Sequence, residues 1–273
     1  MMFGFPILIF DVETMTDIKA GSQLYQLDLA DESSLQALAK LRRQEAGTDF
    51  AKLPLHQVVC ISGLWIDEGK FQLFSWTQHE YSEKEILQKF TGIFEKKQPI
   101  LVSWNGTQFD LPVIMYRCLY HGITAATLFE QGEWDQQKRY NNYQNRYLPR
   151  HTDLMDVLSG FNQKSFQKLD EIVRILGYPG KQGISGNDVA EFVQQAQWAA
   201  LGCYCESDVL NTWLVYLRWL LLRGFVDQQQ HQYWIQRTIG YLQQHAQHAA
   251  FLQQWQKSCL GTAFTANDFL QNP

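Results

Sequence analysis

The chain has 273 residues, of which 45% are hydrophobic and 19% charged, and its formal net charge is −5. This length and composition are typical of a globular protein and exclude an intrinsically disordered one. No Gly-Lys-Ser or Gly-Lys-Thr occurs, so ATP hydrolysis on a phosphate loop is not supported. Five scattered cysteines and the lack of a signal-peptide pattern predict a cytoplasmic protein with reduced thiols and no membrane span.

Strand signals dominate the first half of the chain. Apolar runs predict buried or half-buried strands at residues 7–10, 58–66, 71–76 and 100–104. The second and third runs flank a short turn and predict a hairpin. Ser82 and Glu85 form a capping-box signature for a helix that follows directly. Residues 20–50 are polar with helical spacing and are interpreted as an insertion over the sheet.

Helical signals dominate the second half of the chain. Helices are predicted from about residue 111 and at residues 166–176, 187–195, 199–222 and 228–256. Residues 130–150 form a long polar and aromatic loop, a type that is usually functional or disordered. This order predicts an α/β protein with three layers and a mixed sheet. We expect a main domain of residues 1–225 and a helical C-terminal extension, 226–273, packed on it.

Three acidic islands stand out because each borders apolar sequence. They are Asp11 and Glu13 in Phe-Asp-Val-Glu-Thr, Asp110 in Phe-Asp-Leu-Pro, and Asp208 in Glu-Ser-Asp-Val. Ionised carboxylates are costly beside apolar residues, and four of them in one pocket would repel one another unless divalent cations lay between them. This arrangement is typical of a two-metal site that cleaves phosphodiesters. The islands therefore predict a nuclease.

Spacing within the islands predicts how the side chains point. Asp11 and Glu13 are two apart, so on an extended strand they share one face. Tyr204 and Asp208 are four apart and share one face of a helix. Asp110 lies where a strand gives way to a helix and is expected at the N-cap. Oxygen ligands of this kind select Mg²⁺ or Mn²⁺ rather than zinc.

The residue beside the attacking water has two candidates. Tyr204 has an ordinary pKa near 10, so we assign it an orienting role rather than that of a general base. His151 and Asp156 form a His-x-x-x-x-Asp pair, and an imidazole would be a more effective base near pH 7. Residue chemistry alone leaves both candidates open.

Basic residues are concentrated in one part of this acidic chain. Between residues 138 and 181 there are eight Lys or Arg against four Asp or Glu. Within this stretch Arg146 is a candidate contact to the phosphates of a nucleic-acid strand. Lys181 opens a Gly-rich segment whose backbone amides are suited to a phosphate. An ordinary solvated surface is the alternative for both.

Five motifs in order resemble the DEDD superfamily of 3′→5′ exonucleases, in the branch with Tyr in its third motif. They are Phe-Asp-Val-Glu-Thr, Asn-Gly-x-x-Phe-Asp-Leu-Pro, His-Thr-Asp-Leu-Met-Asp-Val-Leu, Pro-Gly-Lys and Tyr-Cys-Glu-Ser-Asp-Val. More narrowly, the chain is similar, from about Ile7 through Tyr216, to bacterial stand-alone predicted exonucleases. Those proteins are related to the proofreading domain of family B DNA polymerases. The resemblance implies a ribonuclease-H-like fold with the exonuclease domain at residues 1–225.

The resemblance also implies roles for individual residues. Asp110 would help to hold a second metal ion, and Asn105 and Phe109 would contact the terminal nucleotide. Digestion from the 3′ end is likewise implied by the family and by no spacing in the chain.

The His-x-Asp-Leu-Met-Asp motif fits the element that precedes the last catalytic helix of this family, so the resemblance favours Tyr204 over His151. Asp153 or Asp156 would then be a structural or supporting residue.

The sequence thus predicts an exonuclease that hydrolyses terminal phosphodiesters of single-stranded DNA with two ions and releases nucleoside 5′-monophosphates. An exoribonuclease and a nucleic-acid-binding module with a vestigial site are the alternatives. Proofreading would require a polymerase partner.

Overall fold

The computed structural model describes residues 4–27, 33–67, 69–181 and 186–258. In these ranges five strands form one sheet: β1 (Ile7–Thr16), β2 (His56–Asp67), β3 (Lys70–Thr77), β4 (Ile100–Ser103) and β5 (His151–Asp153). Their order is β3-β2-β1-β4-β5. β1 pairs antiparallel with β2 and parallel with β4, and β4 pairs parallel with β5. The predicted hairpin, β2 with β3, and the predicted mixed sheet are confirmed.

The helices of the described ranges lie on both faces of this sheet. They are α1 (Ile18–Tyr25), α2 (Ser33–Ala46), α3 (Glu83–Lys97), α4 (Asp110–His121), α5 (Ala126–Phe129), α6 (Leu154–Leu158), α7 (Leu169–Ile175), α8 (Val189–Gln194), α9 (Trp198–Leu222), α10 (Gln228–Gln244) and α11 (Ala249–Ser258). The predicted capping box of Ser82 and Glu85 starts α3. Within the described ranges, each helix is too short or too polar to cross a lipid bilayer.

Strand β1 is longer than the four apolar residues that predicted it. It continues through Asp11 and Glu13 to Thr16, because its polar half pairs with β2 along its whole length. Pairing with β4 stops at Ile9. The acidic residues therefore lie inside a central strand, beside an edge that β4 has left open.

The two faces of β1 enter different parts of the core. Ile7 and Ile9 pack in the cluster that contains α9, whereas Leu8 and Phe10 pack in the cluster that contains α3 and α4. Successive side chains of a strand alternate between faces. Asp11 and Glu13 thus continue the row of Ile7 and Ile9 and point towards α9.

The C-terminal helices share the core of α9. The Trp213 ring lies 5.7 Å from that of Trp234, and its indole nitrogen donates to Thr238 Oγ1 at 2.9 Å. Leu242 of α10 and Phe251 of α11 are buried in the same cluster. The boundary at residue 225 stays a prediction, and residues 259–273 lie outside the described ranges.

Several predicted helix boundaries are wrong. The single helix predicted at 228–256 is two helices, because the backbone at His245 is extended and a short 3₁₀ turn follows it. This break lets both helices place apolar side chains on α9. Helix α7 begins at Leu169 rather than at residue 166, and α8 covers less than residues 187–195.

The loop at 130–150 is ordered, since Tyr143 is buried and donates to the Pro99 carbonyl at 2.7 Å.

Candidate active site

The centre of the site is a pair of carboxylates on β1. One carboxylate oxygen each of Asp11 and Glu13 and the Cys205 Sγ all lie within 4.8 Å of one another. Glu13 is only 7% exposed, and its side chain makes no hydrogen bond or ion pair with the described residues. A carboxylate removed from water without a partner is unstable as an anion. The position is therefore one that a cation would stabilise.

Electrostatic repulsion links the four predicted carboxylates. Burial, and then Asp208, raises the pKa of Asp11 to about 7. The pKa of Glu13 is raised well above its usual value by burial, then by Asp11 and Asp208. Burial, and then the charges of Asp11 and Asp153, raise the pKa of Asp110 as well. The three islands therefore meet in one site, as their residue types predicted.

A lysine joins the two predicted residues of α9. Lys181 Nζ lies 2.9 Å from Asp208 Oδ2 and donates to the Tyr204 hydroxyl oxygen at 2.8 Å. Burial alone would lower the pKa of Lys181, but Asp208 and Tyr204 outweigh it and raise the pKa. Burial and the Asp208 charge raise the pKa of Tyr204 as well. Tyr204 therefore keeps its proton, and because its oxygen already accepts from Lys181 the O–H remains available as a donor.

Asp110 reaches the site as the first residue of α4, not as its N-cap. The N-cap position belongs to Phe109, whose side chain caps nothing. The turn before α4 is closed by backbone bonds instead, including Leu111 N–H to the Gly106 carbonyl at 2.9 Å. The expectation that Asp110 caps the helix is therefore wrong. Its carboxyl group is left to face Asp11.

Asp153 fixes the turn that precedes Asp110. Its two carboxylate oxygens accept from the backbone amides of Asn105 and Thr107, each at 2.9 Å. Asn105 is left-handed, with φ of 66°. A Cβ on Gly106 would lie 2.3 Å from Ser103 Oγ, so only glycine fits there. The sequence left open whether Asp153 or Asp156 supports the site. These two hydrogen bonds give that position to Asp153.

His151 is buried and its ring contacts Ser103. The residue is 3% exposed, and its Nε2 lies 2.8 Å from Ser103 Oγ. Burial lowers the pKa of His151 to about 4 against the opposing effect of Asp153, so the ring is uncharged at neutral pH. Of the two residues predicted to lie beside an attacking water, this burial and pKa favour Tyr204 over His151.

Arg146 binds Asp156, the residue that the sequence analysis paired with His151. Its guanidinium makes two contacts with the buried Asp156 carboxylate, one of them from Nε to Oδ2 at 3.0 Å. The pair ties the loop at 130–150 to α6. A role for Arg146 in holding a phosphate stays a prediction, as does a phosphate cradle after Lys181, since residues 182–185 lie outside the described ranges.

A cleft of ≈ 660 Å³ opens beside Glu13. Asn105 and Phe109, which were predicted to contact a terminal nucleotide, both line it. So do Phe50 and His56, which belong to no motif in the sequence. Glu13 is therefore reached through a partly aromatic cleft.

Sequence reasoning missed Cys205, Phe50 and His56. The Cys205 Sγ lies 3.6 Å from Asp11 Oδ2. Its position next to Tyr204 on a helix carries no signal of this contact. Phe50 comes from the segment between α2 and β2 and His56 is the first residue of β2, and only the folded chain brings them to the site.

Comparisons with known proteins identify the family of the chain. Residues 48–259 match the model of a family described as a predicted 3′-5′ exonuclease related to the exonuclease domain of PolB. This match includes Asp110, Tyr204 and Asp208 and begins after Asp11 and Glu13. No curated protein has significant similarity to the chain.

The fold resembles that of a family B DNA polymerase from the hyperthermophilic archaeon Pyrobaculum calidifontis. The TM-score is 0.51 and the sequence identity 16%, over 80% of this chain and 24% of the polymerase. The chain thus spans about a quarter of that protein. The likeness confirms the ribonuclease-H-like fold. Since the family model covers most of the chain, the protein belongs to the family of predicted 3′-5′ exonucleases related to the exonuclease domain of PolB.

Proposed function

We propose that the protein is a metal-dependent 3′→5′ exonuclease that hydrolyses the terminal phosphodiester of single-stranded DNA. Its products would be nucleoside 5′-monophosphates. The observation that carries the proposal is the meeting of Asp11, Glu13, Asp110 and Asp208, whose pKa values are all raised by burial. Such a set is unfavourable in an empty protein core and favourable around cations.

The donor set fits two Mg²⁺ or Mn²⁺ ions. All four side chains offer hard oxygen atoms, and Glu13 has no other described partner. Asp11 would be shared between the ions, Glu13 and Asp208 would complete one site, and Asp110 would support the other. Bound there, the ions would lower the pKa of water and offset the charge of the reacting phosphate.

Protein side chains would orient the reactants. Tyr204 keeps its proton and would donate to the attacking water, held in place by the bond from Lys181. Asn105 and Phe109 line the cleft beside Glu13, where the terminal nucleotide would lie. Lys181 and Arg146 remain our candidates for contacts to the phosphates of the strand.

The proposal is tested with oligonucleotides that carry a 5′ label. In Mg²⁺ or Mn²⁺, single-stranded DNA should shorten one nucleotide at a time from its 3′ end, with release of 5′-monophosphates. The same sequence as RNA shows which sugar is preferred, and faster cleavage of RNA would replace the DNA assignment with an exoribonuclease. Binding of both without cleavage in either metal would contradict the proposal and indicate a vestigial site.

A further inference from the structure

The outer wall of the cleft is an aromatic surface made partly by a residue outside the motifs. Phe50 follows α2, and although it is large and apolar it is 54% exposed. Its ring lies 4.9 Å from the His56 ring and 5.8 Å from the Phe109 ring, measured between centroids. We call Phe50, His56 and Phe109 the aromatic wall.

Phe50 is held in position although its ring faces solvent. Arg42 of α2 donates from Nε to the Phe50 carbonyl at 3.0 Å. One residue further on, the Ala51 carbonyl lies 3.3 Å from His56 Nε2, and His56 Nδ1 lies 2.9 Å from Thr14 Oγ1. The backbone that directly follows the exposed ring is therefore tied to α2 and, through His56, to β1.

His56 adds an uncharged face to the wall. Burial lowers the pKa of His56, so the imidazole is neutral at physiological pH. Its ring meets that of Phe109 edge-on at 5.1 Å between centroids. The wall therefore presents aromatic surface with no charge of its own, next to the carboxylates that make the rest of the site acidic.

The position of the wall identifies its occupant. Glu13 and Asn105 line the same cleft, so a nucleotide whose phosphate lies at the carboxylates places its base within reach of these rings. Aromatic side chains stack with any base, because every base has a π-face. Leu35 and Ala39 of α2 add apolar surface on the same side.

We infer that Phe50, supported by His56 and Phe109, forms the surface on which the 3′-terminal base of the substrate stacks. The inference rests on the proposed function and deepens it, because it assigns the segment between α2 and β2 to substrate binding. Phe50 is a binding residue in this scheme and takes no part in bond cleavage.

The test compares Phe50→Ala and Phe50→Trp with Phe225→Ala. Phe225 is a matched control because it is 50% exposed and lies beyond the end of α9 remote from Tyr204. The probe is a single-stranded DNA oligomer ending in 2-aminopurine, whose fluorescence falls on stacking, titrated in Ca²⁺ to slow cleavage. KM and kcat for the unmodified oligomer are measured separately in Mg²⁺.

Phe50→Ala should weaken binding about 5- to 150-fold, which corresponds to about 1–3 kcal/mol per stacked base at 1.4 kcal/mol per tenfold. Quenching of the terminal 2-aminopurine should be lost, and KM should rise while kcat changes little. Phe50→Trp should retain binding and quenching, and Phe225→Ala should behave as the wild type.

The outcomes separate this inference from the proposed function. If the wild type cleaves DNA and Phe50→Ala matches Phe225→Ala in quenching and KM, the inference is wrong and the proposed function stands. If the wild type cleaves nothing but quenching depends on Phe50, the stacking surface is supported and the proposed function fails. Thermal unfolding of each variant confirms that it is folded.

Discussion

At the scale of single residues, the raised pKa of Asp11 links the site to stability. In the metal-free protein this pKa is about 7, against an ordinary value of 3.8, chiefly because the group is buried. Between these two pH values the folded protein binds more protons than the unfolded chain at this position. Its contribution to the free energy of unfolding therefore falls as pH rises from about 4 to about 7.

Replacing Asp11 by Asn removes the free-energy cost of ionising a buried carboxyl group at this position. We expect Asp11→Asn to be more stable than the wild type at pH 8 in a chelating buffer, with a smaller difference at pH 5. Urea unfolding at both pH values measures the difference in free energy of unfolding, with Glu80→Gln on the surface as the control. An equal stability of Asp11→Asn and wild type at pH 8 would contradict the raised pKa of Asp11.

Tyr204 and His151 give opposite expectations when they are replaced. Tyr204→Phe loses the hydroxyl that Lys181 contacts, so kcat should fall about 10²-fold, the scale of a misplaced reactant, while the fold is kept. His151→Gln disturbs a buried hydrogen bond to Ser103 and should cost about 1–3 kcal/mol of stability with a smaller change in kcat. Steady-state cleavage and urea unfolding measure the two effects. The reverse pattern would assign the water to His151.

At the scale of elements, the turn between β4 and α4 is positioned by Asp153. Asp153→Ala leaves the amides of Asn105 and Thr107 without their acceptor, so Asp110 is held less firmly. We expect Mn²⁺ affinity and kcat to fall about 10- to 100-fold, as is usual when a residue that orients a ligand is removed.

The control for this variant is Asp227→Ala at the start of α10. Asp227 also accepts a backbone amide, that of Gln230, but it lies in a different part of the chain. Its loss should cost about 1 kcal/mol of stability and leave Mn²⁺ affinity unchanged. Calorimetric titration of Mn²⁺ compares the two. If both variants bind Mn²⁺ as the wild type does, Asp153 serves only the fold.

Local patterns predicted the elements that depend on local sequence. The capping box of Ser82 and Glu85 and the spacing of Tyr204 and Asp208 each appear in the structure as expected. Both signals span a single helical turn, so neighbouring residues decide them. Strand β5 and helix α6 have three and five residues, too few for a periodic pattern.

Tertiary contacts decided the rest. Strand β1 runs on through polar residues because β2 pairs with it, and the break at His245 depends on packing against α9. Phe50 and Cys205 reach the site from segments far apart in sequence. Repulsion among the acidic islands was predictable from residue types, whereas the apolar and thiol side chains around them were not.

At the scale of the whole molecule, the C-terminal helices stabilise α9 through a core that they share with it. Leu242 is buried in the core cluster that contains Trp213. Leu242→Ala should therefore lower the free energy of unfolding by about 2–5 kcal/mol. Cleavage per folded molecule should be unchanged. An unfolding curve identical to that of the wild type would show that α10 contributes little to this core.

The most direct test of the account is a crystal structure of the protein with Mn²⁺ and a short single-stranded oligonucleotide whose terminal linkage resists hydrolysis. The measurement is the anomalous scattering of manganese. We predict two peaks, one among Asp11, Glu13 and Asp208 and one between Asp11 and Asp110, with the 3′ terminus beside them. Manganese bound elsewhere, or carboxylates that contact no metal while the oligonucleotide is in place, would contradict the account.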